Sequence, residues 1–242
     1  MTDSLVIIPT FNEIENIELI IEAVFALEKE FSILVVDDNS PDGTAAVVRT
    51  LQRKYEDRLF LEVRQEKFGL GTAYIHGFKW AIERGYDYIF EMDADFSHAP
   101  SDLINLYQAC LNGADVAIGS RYKKGINVVN WPLHRILLSY GASFYVKLIT
   151  GMRVHDPTAG FVCYKREVLE SIRLDSVKFI GYAFQIEMKF RAHLLNYKLV
   201  EVPIVFTDRI RGKSKMSTSI VGEAVFGVLQ MKIRSLFQKN KF

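Results

Sequence analysis

Phe31-Ser32-Ile33-Leu34-Val35-Val36 runs directly into Asp37-Asp38-Asn39-Ser40-Pro41-Asp42-Gly43-Thr44, and the fold turns on that junction. The first six residues form an apolar, largely β-branched run, the pattern of a buried strand. The next eight are dense in turn formers and stop it. Asp42 or Thr44 can then open a helix that carries Val47, Val48, Leu51 and Tyr55 at helical spacing. The unit is strand, polar loop, helix.

The same unit recurs on either side. Upstream, Leu5-Val6-Ile7-Ile8-Pro9 reads as a strand, and Thr10 or Asn12 can cap a helix with Ile14, Ile17, Ile20, Ile21 and Val24. Downstream come a strand over Leu59 to Arg64, the turn Gly69-Leu70-Gly71-Thr72, a helix from Ala73 to Arg84 and a strand from Tyr86 to Glu91. Strands alternating with helices of this length predict an α/β fold with a mostly parallel central sheet and helices on both faces. In such sheets ligands bind beyond the carboxyl ends of the strands. Pro9–Glu13, Asp37-Asp38, Gly69–Gly71 and Asp93–Asp95 all fall at those ends.

The last of these, Met92-Asp93-Ala94-Asp95-Phe96-Ser97-His98, places two carboxylates at i and i+2, where they point the same way or converge as the strand breaks. Such a pair without a local cation suits a hard divalent ion with oxygen ligands. A turn with solvated acids is the plainer alternative. The second half is less regular. Asp115 to Tyr122 reads as a strand and its exit loop, Leu133 to Met152 as a helix, and Phe161–Tyr164 and Leu199–Ile204 as further strands.

Composition narrows the class. At 49% hydrophobic and 24% charged, the 242 residues can build an ordinary globular core. A net charge of +1 argues against nucleic acid as a partner. Cys110 and Cys163 have neither metal-ligand spacing nor a disulfide framework, so they are expected to be buried, reduced, small apolar residues of a cytosolic protein. The N-terminus enters a strand without a basic leader, so no signal peptide is expected. No window approaches about 18 uninterrupted apolar residues, so no spanning helix is expected either.

Five ordered blocks together resemble an inverting family 2 (GT-A) glycosyltransferase, and more narrowly a dolichyl-phosphate (polyprenyl-phosphate) mannosyltransferase. They are Pro9–Glu13, Val36–Thr44, Met92–Asp95, Gly119-Ser120-Arg121-Tyr122 and Asp156–Phe161. The resemblance runs from about Leu5 to Met216 and implies transfer of mannose from GDP-mannose to a polyprenyl (dolichyl) phosphate with inversion. It implies a nucleotide cradle of Pro9, Phe11, Glu13, Val36 and Asp38, with Phe11 where relatives commonly carry tyrosine. Asp93, Ala94 and Asp95 would complete the donor site, the two aspartates holding Mg²⁺ or Mn²⁺ on the diphosphate. Ser97 stands where some relatives place a glutamine ligand and is too short to be an assured one.

Arg121, Arg135 and Ser139 resemble the acceptor-phosphate site, with Arg135 and Ser139 one helical turn apart. Arg209 and Lys215 resemble a basic loop that closes on the diphosphate. The expected catalytic residues are therefore Asp95, Arg121 and Arg135. A phosphate monoester has its second pKa near about 6, so it needs no general base. No proton-transfer role is expected of Gln185 or Glu187. His98 and His155 lie near the site, and His76 and His134 read as structural.

Ile220, Val221, Ala224, Val225, Val228, Leu229, Ile233, Leu236 and Phe237 recur at i, i+3/i+4, with Lys232, Arg234, Lys239 and Lys241 towards the end. This predicts a catalytic domain over 1–216 and a basic amphipathic helix over 217–242. The helix fits peripheral attachment at the cytoplasmic face of a membrane, contact with a small membrane subunit, or packing on the protein's own core. Two rival functions stay open: the same lipid phosphate with UDP-glucose or another sugar nucleotide, and a non-catalytic nucleotide-sugar or lipid-phosphate binding subunit. An oxidoreductase is excluded because no Gly-x-Gly-x-x-Gly turn follows the first strand.

Overall fold

The computed structural model describes residues 2–181, 183–209, 211 and 219–237, the last with side chains from Phe226 onward. Its strands are β1 (Ser4–Thr10), β2 (Ser32–Asp37), β3 (Leu59–Val63), β4 (Tyr88–Glu91), β5 (Val116–Ser120), β6 (Val128–Val129), β7 (Val162–Lys165), β8 (Leu199–Pro203) and β9 (Phe206–Thr207). Seven of them form one sheet in the order β3-β2-β1-β4-β7-β5-β8. All neighbours are parallel except β7, which runs antiparallel to both β4 and β5. The mostly parallel α/β sheet read from the sequence is therefore present.

Its helices are α1 (Ile17–Phe25), α2 (Thr44–Gln52), α3 (Leu70–Glu83), α4 (Asp102–Leu111), α5 (Leu133–Thr150), α6 (Arg166–Ser171), α7 (Ala183–Leu194) and α8 (Ser219–Phe237). Side chains alternate across the sheet, as the pleat requires. Leu5 and Ile7 of β1 with Leu34 and Val36 of β2 enter one core, filled by α3, α6 and α7 with Val146 of α5 and with Val228 and Met231 of α8. Val6, Ile8, Ile33 and Val35 enter the other, filled by α1, α2 and α4. Cys110 of α4 and Cys163 of β7 are free and buried, their sulfurs 3.5 Å apart.

Three local differences from the sequence reading bear on the site. Helix α1 begins at Ile17, because Asn12 adopts φ +55° and donates its N–H to Ser40 Oγ (3.0 Å) instead of capping. Helix α3 begins at Leu70, directly after Gly69 at φ +103°. Gly71 then donates to Ile180 O (2.8 Å), and a Cβ there would lie 2.7 Å from the Phe184 ring, so this glycine serves close packing. The third difference is a second, two-stranded parallel sheet of β6 and β9.

Candidate active site

The carboxyl ends of β1, β2 and β4 lie side by side, and their loops are tied together by short polar side chains. Asp37 is wholly structural: Thr10 donates to Oδ2 (2.8 Å), and Ser40 donates its N–H to Oδ1 (2.9 Å) and its hydroxyl to Oδ2 (2.6 Å). Asp42 accepts from Ile14 N (3.1 Å) and from Thr44 N (3.0 Å), knitting the first loop to the second. Asp38 is the carboxylate left at the rim. Its Oδ1 accepts from Arg64 Nε (2.6 Å), and burial raises its pKa by more than Arg64 lowers it. The sequence reading passed over Arg64, which sits at the end of β3 as plain strand punctuation.

The expected cradle divides into two kinds of residue. Glu13 is buried, with its N–H on Thr44 Oγ1 (3.1 Å) and its Oε2 accepting from Asn16 (3.0 Å). Phe11 keeps a partly exposed ring with Lys67 Nζ 4.7 Å from its centroid, and Pro9, the last residue but one of β1, is half-buried. Val36 and Ala94 differ from the expectation. Both side chains are buried among the core residues, so only their backbone can face a ligand.

At the end of β4 the chain reverses abruptly. Phe96 adopts φ +60°, a left-handed conformation a bulky residue rarely tolerates, immediately after Asp95. That turn lets Ser97 donate its N–H to Asp95 Oδ1 (3.0 Å) and accept Thr207 N on its carbonyl (3.1 Å). With its N–H turned inward, Ser97 is bound into the loop. The Thr207 bond seats β9 over the acidic triplet. Two residues on, Arg209 Nη2 lies 2.5 Å from Asp95 Oδ2 and its Nη1 lies 3.8 Å from Glu13 Oε1. The expected basic residue has closed on the expected acids; Lys215 lies outside the described residues.

This arrangement fits a divalent ion. Asp93, Asp95 and the buried Glu91 all sit near enough to Tyr74 to add to the rise in its pKa, which burial dominates. A guanidinium already occupies the gap between Asp95 and Glu13, which shows that the position favours a cation. Among the described residues no three His, Cys, Asp or Glu side chains are placed to hold a metal ion by themselves. Two carboxylates are what Mg²⁺ ordinarily uses when substrate phosphates supply the remaining oxygens.

The expected acceptor residues are also brought together, around Trp131. Arg135 lies 4.1 Å from the Trp131 ring and Arg121 lies 5.6 Å from it. Arg135 Nη1 contacts both oxygens of Asp208 at 3.0 Å. Ser139 accepts the Tyr122 hydroxyl (2.7 Å). Arg121 corrects the expectation, because it is buried beneath the cluster rather than presented at its surface. It donates through N and Nε to Asp156 Oδ2 (3.0 and 2.7 Å), and through Nη2 to Asp156 Oδ1 (2.6 Å) and Thr158 (2.8 Å). Burial pushes the Asp156 carboxyl up, and Arg121 beside it outweighs that and holds it below the usual carboxylate range.

A profile of the family described as "Glycosyl transferase family 2" matches residues 5–173. This chain belongs to that family. Among curated relatives, the transferase is 49% identical over 238 residues to "Polyprenol monophosphomannose synthase" of Mycolicibacterium smegmatis, covering 98% of this chain and 90% of that protein. It is 46% identical over 225 residues to "Undecaprenyl-phosphate mannosyltransferase" of Micrococcus luteus, covering 93% and 91%. Among solved structures, the mannosyltransferase PcManGT of Pyrobaculum calidifontis, in complex with GDP-Man and Mn²⁺, aligns with a TM-score of 0.57 at 16% identity over 97% of this chain and 74% of that one. Mannosyl-3-phosphoglycerate synthase of Rubrobacter xylanophilus aligns with a TM-score of 0.63 at 18% identity, over 99% and 75%. These two similarities establish the shared GT-A fold alone.

Beneath the site the transferase carries polar groups that the sequence reading did not assign. Glu201 of β8 accepts His155 N and Asp156 N on Oε1 (both 2.9 Å), and its Oε2 lies 2.7 Å from His155 Nδ1. It thereby fixes the loop that presents Asp156 to Arg121. His98 is stacked on Phe161 at 4.8 Å and edge-on to Phe206 at 5.2 Å, and burial pushes its pKa down to about 4, which keeps it neutral. Under β4, burial pushes Glu91 up to about 8 and Lys189 down to about 8, each opposed by the other's charge. Lys189 donates to Ala159 O (2.6 Å) and to Gln185 Oε1 (3.1 Å). Glu187 takes Lys178 N, Phe179 N and Arg191, which gives it a structural task.

Proposed function

We propose that the protein transfers mannose from GDP-mannose to a polyprenyl (dolichyl) phosphate, with inversion at the sugar C1. The observation that carries this reading is a pair of consecutive residues on the exit of β9. Asp208 turns to Arg135, and Arg209 turns to Asp95 and Glu13. One short segment therefore joins an anion-binding cluster to an acidic, cation-seeking one, as a transfer between a phosphate acceptor and a metal-assisted diphosphate donor requires. The names of the curated relatives point to the same pairing of mannose and polyprenyl phosphate.

In this reading Pro9, Phe11, Glu13 and Asp38 receive the nucleoside, Phe11 through its ring and Asp38 through a carboxylate that can accept base N–H groups. Mg²⁺ or Mn²⁺, when bound, is held by Asp93 and Asp95 and offsets charge on the leaving diphosphate. Arg209, with Lys215, takes the diphosphate side. Arg135, Ser139 and Tyr122 hold the acceptor phosphate, and Arg121, locked by Asp156, adds positive potential from below. The acceptor is largely dianionic at neutral pH, so no side chain need remove a proton, and positioning with electrostatics carries the rate. The catalytic unit spans 1–216. The protein works peripherally at the cytoplasmic face of a membrane, with the segment 217–242, of which α8 (Ser219–Phe237) is the described part, touching the bilayer or a small membrane subunit.

The test is incubation with Mg²⁺ and labelled GDP-mannose, UDP-glucose or UDP-N-acetylglucosamine in turn, each with a polyprenyl phosphate. Label should enter the organic phase from GDP-mannose. No labelled lipid with any donor would sink the reading, and label from a UDP-sugar alone would replace the donor. Asp95→Asn, whose Oδ1 can still accept the Ser97 N–H, should lose turnover and stay close to the parent melting temperature.

A further inference from the structure

Helix α5 carries an apolar stripe that faces away from the protein. Leu133, Leu137, Tyr140, Phe144 and Leu148 recur at steps of four, three, four and four, which puts them on one side of the helix. Each is between 51% and 70% exposed. The stripe is about 22 Å long at the helical rise. On the opposite side, Ser143, Val146 and Thr150 are buried against the protein, and Arg135 and Ser139 line the acceptor cluster. Solvent exposure of this many large apolar side chains in one contiguous stripe marks a contact surface.

Charge identifies the partner. From Arg121 to His155 the sequence contains no Asp or Glu, while Arg121, Lys123, Lys124, Arg135, Lys147 and Arg153 are basic. The whole chain is nearly balanced at +1, so positive charge is concentrated on this segment. Lys147 stands exposed beside Phe144 and Leu148. Arg121 and Arg135 are paired with Asp156 and Asp208, so the exposed cations of the segment are Lys123, Lys124, Lys147 and Arg153, and an apolar stripe with such a flank suits an interface of acyl chains below anionic headgroups. The far end of the structure agrees, since α8 packs against α5 and exposes Ile233, Leu236 and Phe237.

We infer that the outer face of α5 is the surface by which this protein lies in an anionic lipid bilayer. The inference rests on the lipid-phosphate reading for its purpose, though not for its evidence. A helix seated this way sinks about 5–10 Å into the interface. Arg135 and Ser139, on its inner side, then lie within about one helix diameter of the lipid boundary. An acceptor phosphate can reach them while its tail stays in the bilayer. No described helix is long and apolar enough to cross a membrane, so the contact is lateral.

Flotation of the full chain with vesicles of phosphatidylcholine containing phosphatidylglycerol, beside pure phosphatidylcholine, tests this. Leu137→Asp/Phe144→Asp should lower vesicle binding by about tenfold or more, because two apolar anchors are replaced by charges. The neutral pair Leu133→Ser/Leu148→Ser should weaken it in the same direction. Both variants should keep the parent melting temperature and the parent turnover with geranyl phosphate, an acceptor short enough to stay in water. Parent-like vesicle binding by both variants overturns the inference, whatever the enzyme does. So does a loss of self-association with vesicle binding unchanged, which would give the stripe to a second copy. Loss of vesicle binding by a protein that transfers no sugar at all would sink the mannosyl-transfer reading and leave the surface standing.

Discussion

Glu201 is the side chain whose removal best tests the architecture of the proposed acceptor side, because its effect must pass through Asp156. Its carboxylate takes the N–H groups of His155 and Asp156 and the His155 ring nitrogen. Glu201→Ala leaves the fully buried Asp156 N–H without a partner and releases the half-exposed His155 to water. An orphaned buried donor costs about 1–3 kcal/mol, and a lost hydrogen bond to a charged group about 1.5–3 kcal/mol. Together these give a destabilisation of about 2.5–6 kcal/mol. At about 2–4 °C per kcal/mol for a chain of this length, the melting temperature should drop by about 5–24 °C. Glu201→Gln keeps the Oε1 acceptor for both N–H groups and should lose about 1 kcal/mol. Urea unfolding at constant m-value measures both. The same variants should raise KM for the lipid acceptor and leave KM for the donor unchanged, since the loop positions Arg121 and touches nothing on the donor side. Glu201→Ala within about 1 kcal/mol of the parent, or indistinguishable from Glu201→Gln, would refute the argument.

Four further outcomes follow from other contacts. His98 titrates near 4 in the folded protein against 6.5 unfolded. The unfolded chain therefore binds the extra proton as pH falls from 6.5 to 4, and stability should be lost across that window by about 3 kcal/mol. His98→Gln should flatten this part of the acid limb, and an unchanged limb would remove His98 as its cause. Arg209→Gln withdraws the guanidinium from Asp95 and Glu13, so Mn²⁺ affinity without nucleotide, read by electron paramagnetic resonance, should rise about tenfold. That corresponds to about 1.4 kcal/mol of relieved competition, and unchanged affinity would show that ion and guanidinium do not share the position. Arg135→Ala should raise KM for the lipid phosphate by about 10-fold or more with donor KM unaffected. Gly71→Ala drives a Cβ to 2.7 Å from the Phe184 ring and 3.0 Å from Phe179 O, so it should cost about 1–3 kcal/mol in urea unfolding.

The first half of the fold was legible because each of its strands is a short apolar run ended by turn residues. β1, β2 and β3 lie within a residue or so of their expected bounds. Capping was read less well. Thr10 and Asn12 resemble N-caps, and the structure uses them to tie loops together instead, whereas α2 does open at Thr44, whose N–H Asp42 accepts. Helix α4 went unread although Leu103, Leu106 and Cys110 have helical spacing, because a short polar-rich helix gives a weak periodic signal. The sheet of β6 and β9 was invisible for a different reason. Each strand is two residues long, and their pairing spans most of a hundred positions, which no local pattern encodes.

That small sheet decides how the site is assembled. Asp95 could be picked out by its spacing, and Arg209 by its setting in a basic loop, but nothing local says that they meet. They meet because Phe96 accepts a left-handed backbone, which turns the Ser97 carbonyl towards Thr207. The strand so anchored then alternates its side chains, sending Asp208 to Arg135 and Arg209 to Asp95. A strained residue beside a functional acid persists only where the surroundings over-determine it. Here the ring of Phe96 packs on the α1–α2–α4 core, and β9 is held at both ends, by Asn127 O on Phe206 N and by Val129 O on Asp208 N. The proposed donor and acceptor sides are thus coupled through a single turn. A change at Phe96 should therefore disturb use of the lipid phosphate as well as use of the sugar nucleotide, although Phe96 is placed to touch neither.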